Sequence, residues 1–97
     1  MREDRQRLDK WLWFARFART RSLAARLASD GFVRVNGNRA ENPAKGIGIG
    51  DVVTVAAPHA TVAVRVLDLG LRRGPAPEAR LLYVDLSGGA PPGVPEG

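Results

Sequence analysis

The chain has 97 residues, enough for one domain with a modest core and too few for two. Its composition, 44% hydrophobic and 26% charged, is that of a folded protein, and no apolar run approaches the ~18 residues of a membrane span. With no cysteine there is no disulfide framework and no thiolate metal site, and residues 1–7 carry no apolar signal segment, so a cytoplasmic protein is expected. The net charge of +5 is unevenly placed: residues 1–39 hold ten Lys/Arg against four Asp/Glu, and residues 40–97 hold five against six. All the cations except Lys10 and Lys45 are arginine, the side chain that meets phosphate at two points and stacks on bases.

Residues 1–6 are charged and expected to fray. A helical pattern opens at Arg7, with Leu8, Trp11, Leu12 and Ala15 on one stripe. Trp13, Phe14 and Phe17 lie off that stripe, so some of them should pack against later strands or stay partly exposed. The pattern breaks at Arg19-Thr20-Arg21-Ser22. Thr20 is the expected N-cap of a second helix, with Ser22 as the alternative. Leu23, Ala24, Leu27 and Ala28 give that helix a narrow apolar face, and Gly31 is its expected left-handed terminator.

Phe32 to Val35 reads as a short strand, and Asn36-Gly37 is a strong hairpin signal from which Arg39 begins the return. A loop-rich connection from Glu41 to Gly50 has Ile47 and Ile49 as apolar anchors. Strands are expected over Val52 to Val55, Thr61 to Leu69 and Leu81 to Leu86. They are separated by a turn at Pro58-His59 and a crossing from Gly70 to Ala79. The result is one domain over residues 7–86, followed by a disordered Gly/Pro tail over 87–97.

The stretch from Arg16 to Arg26 concentrates Arg16, Arg19, Arg21 and Arg26 around a helix–helix corner. A helix start offers unpaired N–H groups and the positive end of a dipole to an anion, and arginines beside it strengthen that preference. Arg34 and Arg39 flank the hairpin, as a second half of the grip. Four to six phosphate contacts would give a slope on the order of −3 to −5 in log K against log salt. Trp11 fits the core by its stripe position, whereas Trp13 is the better base-stacking candidate. Asp9 can orient Arg16 or simply complement the dipole of the first helix. Lys45 is an additional candidate phosphate contact.

Other patterns carry less. The glycines at 46, 48 and 50 suggest a phosphate loop, but such loops run from a strand into a helix and this one leads into a strand. His59 is the only histidine, so no zinc site forms around it. Asp51, Asp68, Glu78 and Asp85 are dispersed over separate elements. No cofactor, metal or catalytic centre is expected.

The segment from Arg7 to Arg39 resembles the S4-type RNA-binding domain, or alpha-L motif. Arg7-Leu8-Asp9-Lys10 opens the first helix, Thr20-Arg21-Ser22 opens the second, Gly31 ends it, and Val33-Arg34-Val35-Asn36-Gly37 follows. Gly50-Asp51-Val52-Val53 is similar to that family's closing strand, so the resemblance covers residues 7–56. It implies an α+β fold with two N-terminal helices packed on a small, mostly antiparallel twisted sheet. Leu8 to Trp13 and Arg72 to Ala79 look most like the bacterial heat shock protein 15 family. That resemblance implies a protein bound to large ribosomal subunits that retain peptidyl-tRNA after stalled translation, with ribosomal RNA and tRNA as its contacts. Many members carry a long basic C-terminal extension, whereas this chain is Gly/Pro-rich there.

The expected RNA surface comprises Arg7, Lys10, Arg16, Arg19, Thr20, Arg21 and Arg26 from the helices, with Arg34, Asn36 and Arg39 from the hairpin. The expected protein is non-catalytic, without a membrane partner, and a monomer when free. Its rivals are an RNA-targeting subunit of an RNA-modifying enzyme, a module for an acidic protein partner, and a duplex-DNA binder.

Overall fold

The computed structural model describes residues 5–56 and 61–86. The Pro58-His59 turn, the first four residues and the Gly/Pro segment 87–97 lie outside the described residues. The order of elements is β1 (Gln6–Arg7), α1 (Leu8–Phe14), α2 (Arg21–Ser29), β2 (Val33–Val35), β3 (Asn38–Arg39), β4 (Gly46–Ile47), β5 (Val52–Ala56), β6 (Thr61–Val66), α3 (Ala76–Ala79), a 3-10 turn over Arg80–Leu82, and β7 (Tyr83–Asp85). This is the expected α+β architecture, two helices laid on an antiparallel sheet.

Both main helices end by the same device. The Phe17 N–H reaches the Leu12 carbonyl at 2.9 Å and the Arg16 N–H reaches Trp13 at 3.1 Å; Phe32 to Leu27 and Gly31 to Ala28, each at 2.9 Å, repeat the pattern. These are Schellman closures, which need a left-handed residue at the turning point. Gly31 supplies it at φ +87°, as expected for glycine. Arg16 supplies it at φ +68°, where a side chain costs roughly 1–2 kcal/mol. Thr20 is the N-cap of α2: its Oγ1 accepts from the Leu23 N–H at 3.1 Å.

The sheet runs β3-β2-β5-β6-β7, every neighbouring pair antiparallel. Val33, Val35, Val53, Val55, Val64 and Val66 turn inward onto Leu8, Trp11, Leu12, Ala24 and Ala28. Trp11 is fully buried at the centre, and its Nε1 donates to the Asp68 carbonyl at 2.9 Å. Burying such a ring contributes on the order of 2–3 kcal/mol, and the bond spares the indole N–H an unpaired burial. Phe17 and Tyr83 close over it, with ring centres 5.1 Å apart.

Several expectations need correction. Leu23 is 44% exposed because α2 buries only its alanine row, Ala24 and Ala28. Ile49 is also exposed, so Ile47 alone anchors its loop. Ile47 does so within β4, which pairs with β1 as a separate two-stranded ribbon that no local signal announced. β6 stops at Val66, where the Leu67 and Asp68 N–H groups both turn to the Leu82 carbonyl. The crossing contains α3, and Leu81 and Leu82 lie in the 3-10 turn before β7.

Candidate nucleic-acid interface

Asp9 is the one buried charged residue among the described residues, 4% exposed at the first turn of α1. Its two carboxylate oxygens accept from Arg7 Nε and Nη2, each at 3.1 Å, and its Oδ2 lies 3.8 Å from Arg21 Nε. One carboxylate thus gathers an arginine that precedes α1 and an arginine that opens α2. The hydrogen bond, and secondarily the charge, of Asp9 raises the Arg7 pKa above its ordinary value. Asp9 does not orient Arg16.

The start of α1 is not open to an anion. The Leu8 and Asp9 N–H groups are taken by the Lys45 and Pro43 carbonyls at 2.9 and 3.0 Å. The start of α2 differs. Thr20 caps the Leu23 N–H, while the N–H groups of Arg21 and Ser22 have no acceptor within the helix. Arg19, Arg21 and Arg26 are exposed around this start and along the outer side of α2.

Arg16 leaves the phosphate-facing set in part. Its Nε donates to the Gly74 carbonyl at 2.7 Å, tying the end of α1 to the crossing. Arg73 answers from the other side, donating to the Trp13 and Ala18 carbonyls at 3.1 and 3.4 Å while its guanidinium lies 5.8 Å from the Trp13 ring centre. Trp13 is half-buried and already partnered by Arg73, so it is not a bare stacking platform. Lys10 holds its Nζ 5.7 Å from the Phe14 ring.

Arg34 of the hairpin lies apart from this corner. Arg34 is exposed between the buried Val33 and Val35, and side chains alternate along a strand, so it projects from the sheet face opposite the helices. It stands opposite Arg39, whose Nη1 meets Glu41 Oε2 at 3.3 Å. Asn36, at φ +53°, is a fastener: Nδ2 donates to Asp51 at 3.2 Å, and Oδ1 accepts from the Val52 N–H at 2.9 Å. The structure therefore brings together Arg7, Arg19, Thr20 and Arg21, with Arg26 further along α2. It places Arg34 on another face.

Arg73 was missed as a member of the corner. Only the string Arg72-Arg73-Gly74 marked it, and nothing local says that this string docks on a helix end sixty residues earlier. Among the described residues, no group of three metal-ligating side chains is present.

Comparison with known proteins agrees with this fold. The S4 domain family matches residues 6–53. The heat shock protein 15 homolog of Aeromonas salmonicida is 46% identical over 77 residues, covering 79% of this chain and 58% of that protein. Heat shock protein 15 of Escherichia coli K12 is 42% identical over 77 residues, covering 79% of this chain and 57% of that one. The chain thus spans less than two-thirds of the length of these curated relatives. The trimeric structure of Vibrio cholerae heat shock protein 15 superposes with a TM-score of 0.81 at 40% identity, covering 87% of this chain and 84% of that one. With the S4 domain matched over residues 6–53 and a similarity covering 87% of the chain, the chain belongs to the heat shock protein 15 family.

Proposed function

We propose that this protein binds structured RNA, without catalysis, through the α1–α2 corner. The observation that carries the reading is the buried Asp9, which orders Arg7 and Arg21 beside an incompletely satisfied helix start. A hydrogen-bonded Arg7 guanidinium with Arg21 drawn near by charge, beside free N–H groups, matches the spaced anionic oxygens of an RNA backbone. Selectivity comes from the shape of a helical junction or loop more than from base edges. Membership of an S4-domain family supports the same reading.

The finer proposal takes its target from the resemblance to heat shock protein 15: cytoplasmic large ribosomal subunits that still hold peptidyl-tRNA after stalled translation. There the protein aids rescue or recycling by binding, with ribosomal RNA as the main contact and tRNA beside it. The free chain is proposed to be a monomer; light scattering distinguishes this from the trimer named for the Vibrio cholerae relative.

The test is fluorescence anisotropy with a ribosomal RNA helix over a range of salt concentrations. Arg19→Ala combined with Arg21→Ala should lower the salt slope by about 1–2 and leave the melting curve nearly unchanged. An unchanged slope refutes the corner. Sedimentation with the large-subunit fraction, abolished by ribonuclease and not by removal of ribosome-free protein, tests the ribosomal target.

A further inference from the structure

A cleft of about 520 Å³ opens between β3 and the β1–β4 ribbon, walled by Arg5, Asn38, Arg39, Asn42 and Lys45, with Asp51 at one end. We propose that this cleft takes one unpaired ribonucleotide of the RNA that the corner holds; the inference rests on the RNA-binding reading above.

The wall chemistry suits a nucleotide. Arg5 and Lys45 supply cations for a phosphate, Arg39 balances the wall carboxylate of Glu41, and the two arginines offer planar surfaces on which a base stacks. Asn38 supplies an amide, which carries a donor and an acceptor together and so matches a base edge, and Asn42 supplies a further donor. The Asn38 and Lys45 side chains form no hydrogen bond or ion pair with a described residue. Asn42 uses its Oδ1 to accept the Ala44 N–H at 2.9 Å, which leaves its NH₂ group to donate.

The two carboxylates in the wall do not repel an anion unopposed. Glu41 is paired with Arg39, and Asp51 accepts from the Asn36 amide and from the Gly48 N–H at 2.9 Å.

The cleft is linked to the corner along β1 and the lead-in to β4. Arg5 directly precedes β1 and packs over Gly46, the residue that Arg7 pairs with. Arg7 belongs to the Asp9 group and Arg5 to the cleft. A Cβ added at Gly46 would lie 3.3 Å from the Arg5 Cδ. The same ribbon wall is pinned to the start of α1 through the Pro43 and Lys45 carbonyls. An RNA whose backbone lies on Arg7 and Arg21 can therefore direct a bulged or looped-out nucleotide into the cleft without leaving the protein surface.

Two RNA hairpins, identical except for one bulged nucleotide, test this by anisotropy. The wild-type chain should bind the bulged hairpin about tenfold tighter, the discrimination expected of one good amide–base pair. Asn38→Ala and, separately, Arg5→Gln should reduce that preference to about twofold or less with the bulge-free affinity and melting temperature retained. Arg19→Ala with Arg21→Ala should weaken both hairpins alike, so failure of the corner and failure of the cleft give different results. A wild-type chain without bulge preference, or variants that keep it, overturns the proposal. Free adenosine monophosphate is the control for a soluble ligand: it should bind far more weakly than the bulged RNA, and equal affinity would overturn the assignment to RNA.

Discussion

Asp9 clasps Arg7 through two hydrogen bonds of 3.1 Å each from a side chain that is almost wholly buried. An acidic residue inside a phosphate-binding surface looks counterproductive until its second neighbour, Arg21, is considered. The carboxylate gives up some of the net positive charge, and in return the two guanidinium groups are held in place. This separates two accounts of the site. If charge alone governed binding, Asp9→Asn would raise the net charge and tighten RNA binding. If Asp9 positions the arginines, the same isosteric change should weaken binding about fivefold to tenfold, because flexible side chains must be ordered on contact. Anisotropy at fixed salt, with a melting curve to verify folding, decides between them.

Arg73 should matter to stability more than its position in a turn-rich crossing suggests. Its guanidinium joins the Trp13 and Ala18 carbonyls and lies over the Trp13 ring, so it bridges the end of α1 to the lead-in of α2. Arg73→Ala is expected to destabilise the fold by roughly 1–2 kcal/mol, the sum of modest hydrogen bonds and one cation–π contact. Urea denaturation measures it. Arg72→Ala, which removes a pair with Glu78 that is largely solvent-exposed, should change stability by less than about 0.5 kcal/mol.

These two arginines show where sequence reasoning stops. Period and capping chemistry are local, so the Leu8-Trp11-Leu12-Ala15 stripe, the Thr20 cap, the Gly31 terminator and the Asn36-Gly37 hairpin were all legible. The β1–β4 ribbon was not, because two-residue strands have no period and pair only when Ile47 is drawn into the core. The corner was legible as a cluster of arginines, but not its internal order. Asp9 faces Arg7 and Arg21 because α1 and α2 meet at their starts. Arg16 is diverted by Gly74, which arrives through the packing of the crossing. Side-chain direction at Arg34 was open to simple alternation once Val33 and Val35 were assigned inward, and it argues against one continuous grip.

Gly70 reports on how tightly the crossing is docked. It has φ +80°, and a Cβ there would lie 2.9 Å from Cδ2 of the buried Phe14 and 3.4 Å from Leu82. Gly70→Ala therefore combines a left-handed alanine with overpacking against a ring that is itself enclosed. A loss of roughly 2–4 kcal/mol is expected, measured by denaturant unfolding. Gly37→Ala has a similar positive φ at +85° but open space around it, so it should lose only the backbone part, about 1 kcal/mol.

The placement of Arg34 yields the sharpest comparison between the hairpin and the corner. Arg21 lies on the helical side of the molecule and Arg34 on the outer side of the sheet, with the packed core between them. Packed layers stand ~10 Å apart and charges in physiological salt are screened over ~8 Å, so one phosphate cannot feel both strongly. Arg21→Glu should weaken binding of a short RNA helix by at least about tenfold, and Arg34→Glu by about threefold or less. The contrast must be measured with an RNA too short to wrap the β3 edge. Equal losses from the two reversals on such an RNA would mean that the hairpin face makes its own backbone contacts, and the corner would then be only one of two independent phosphate sites.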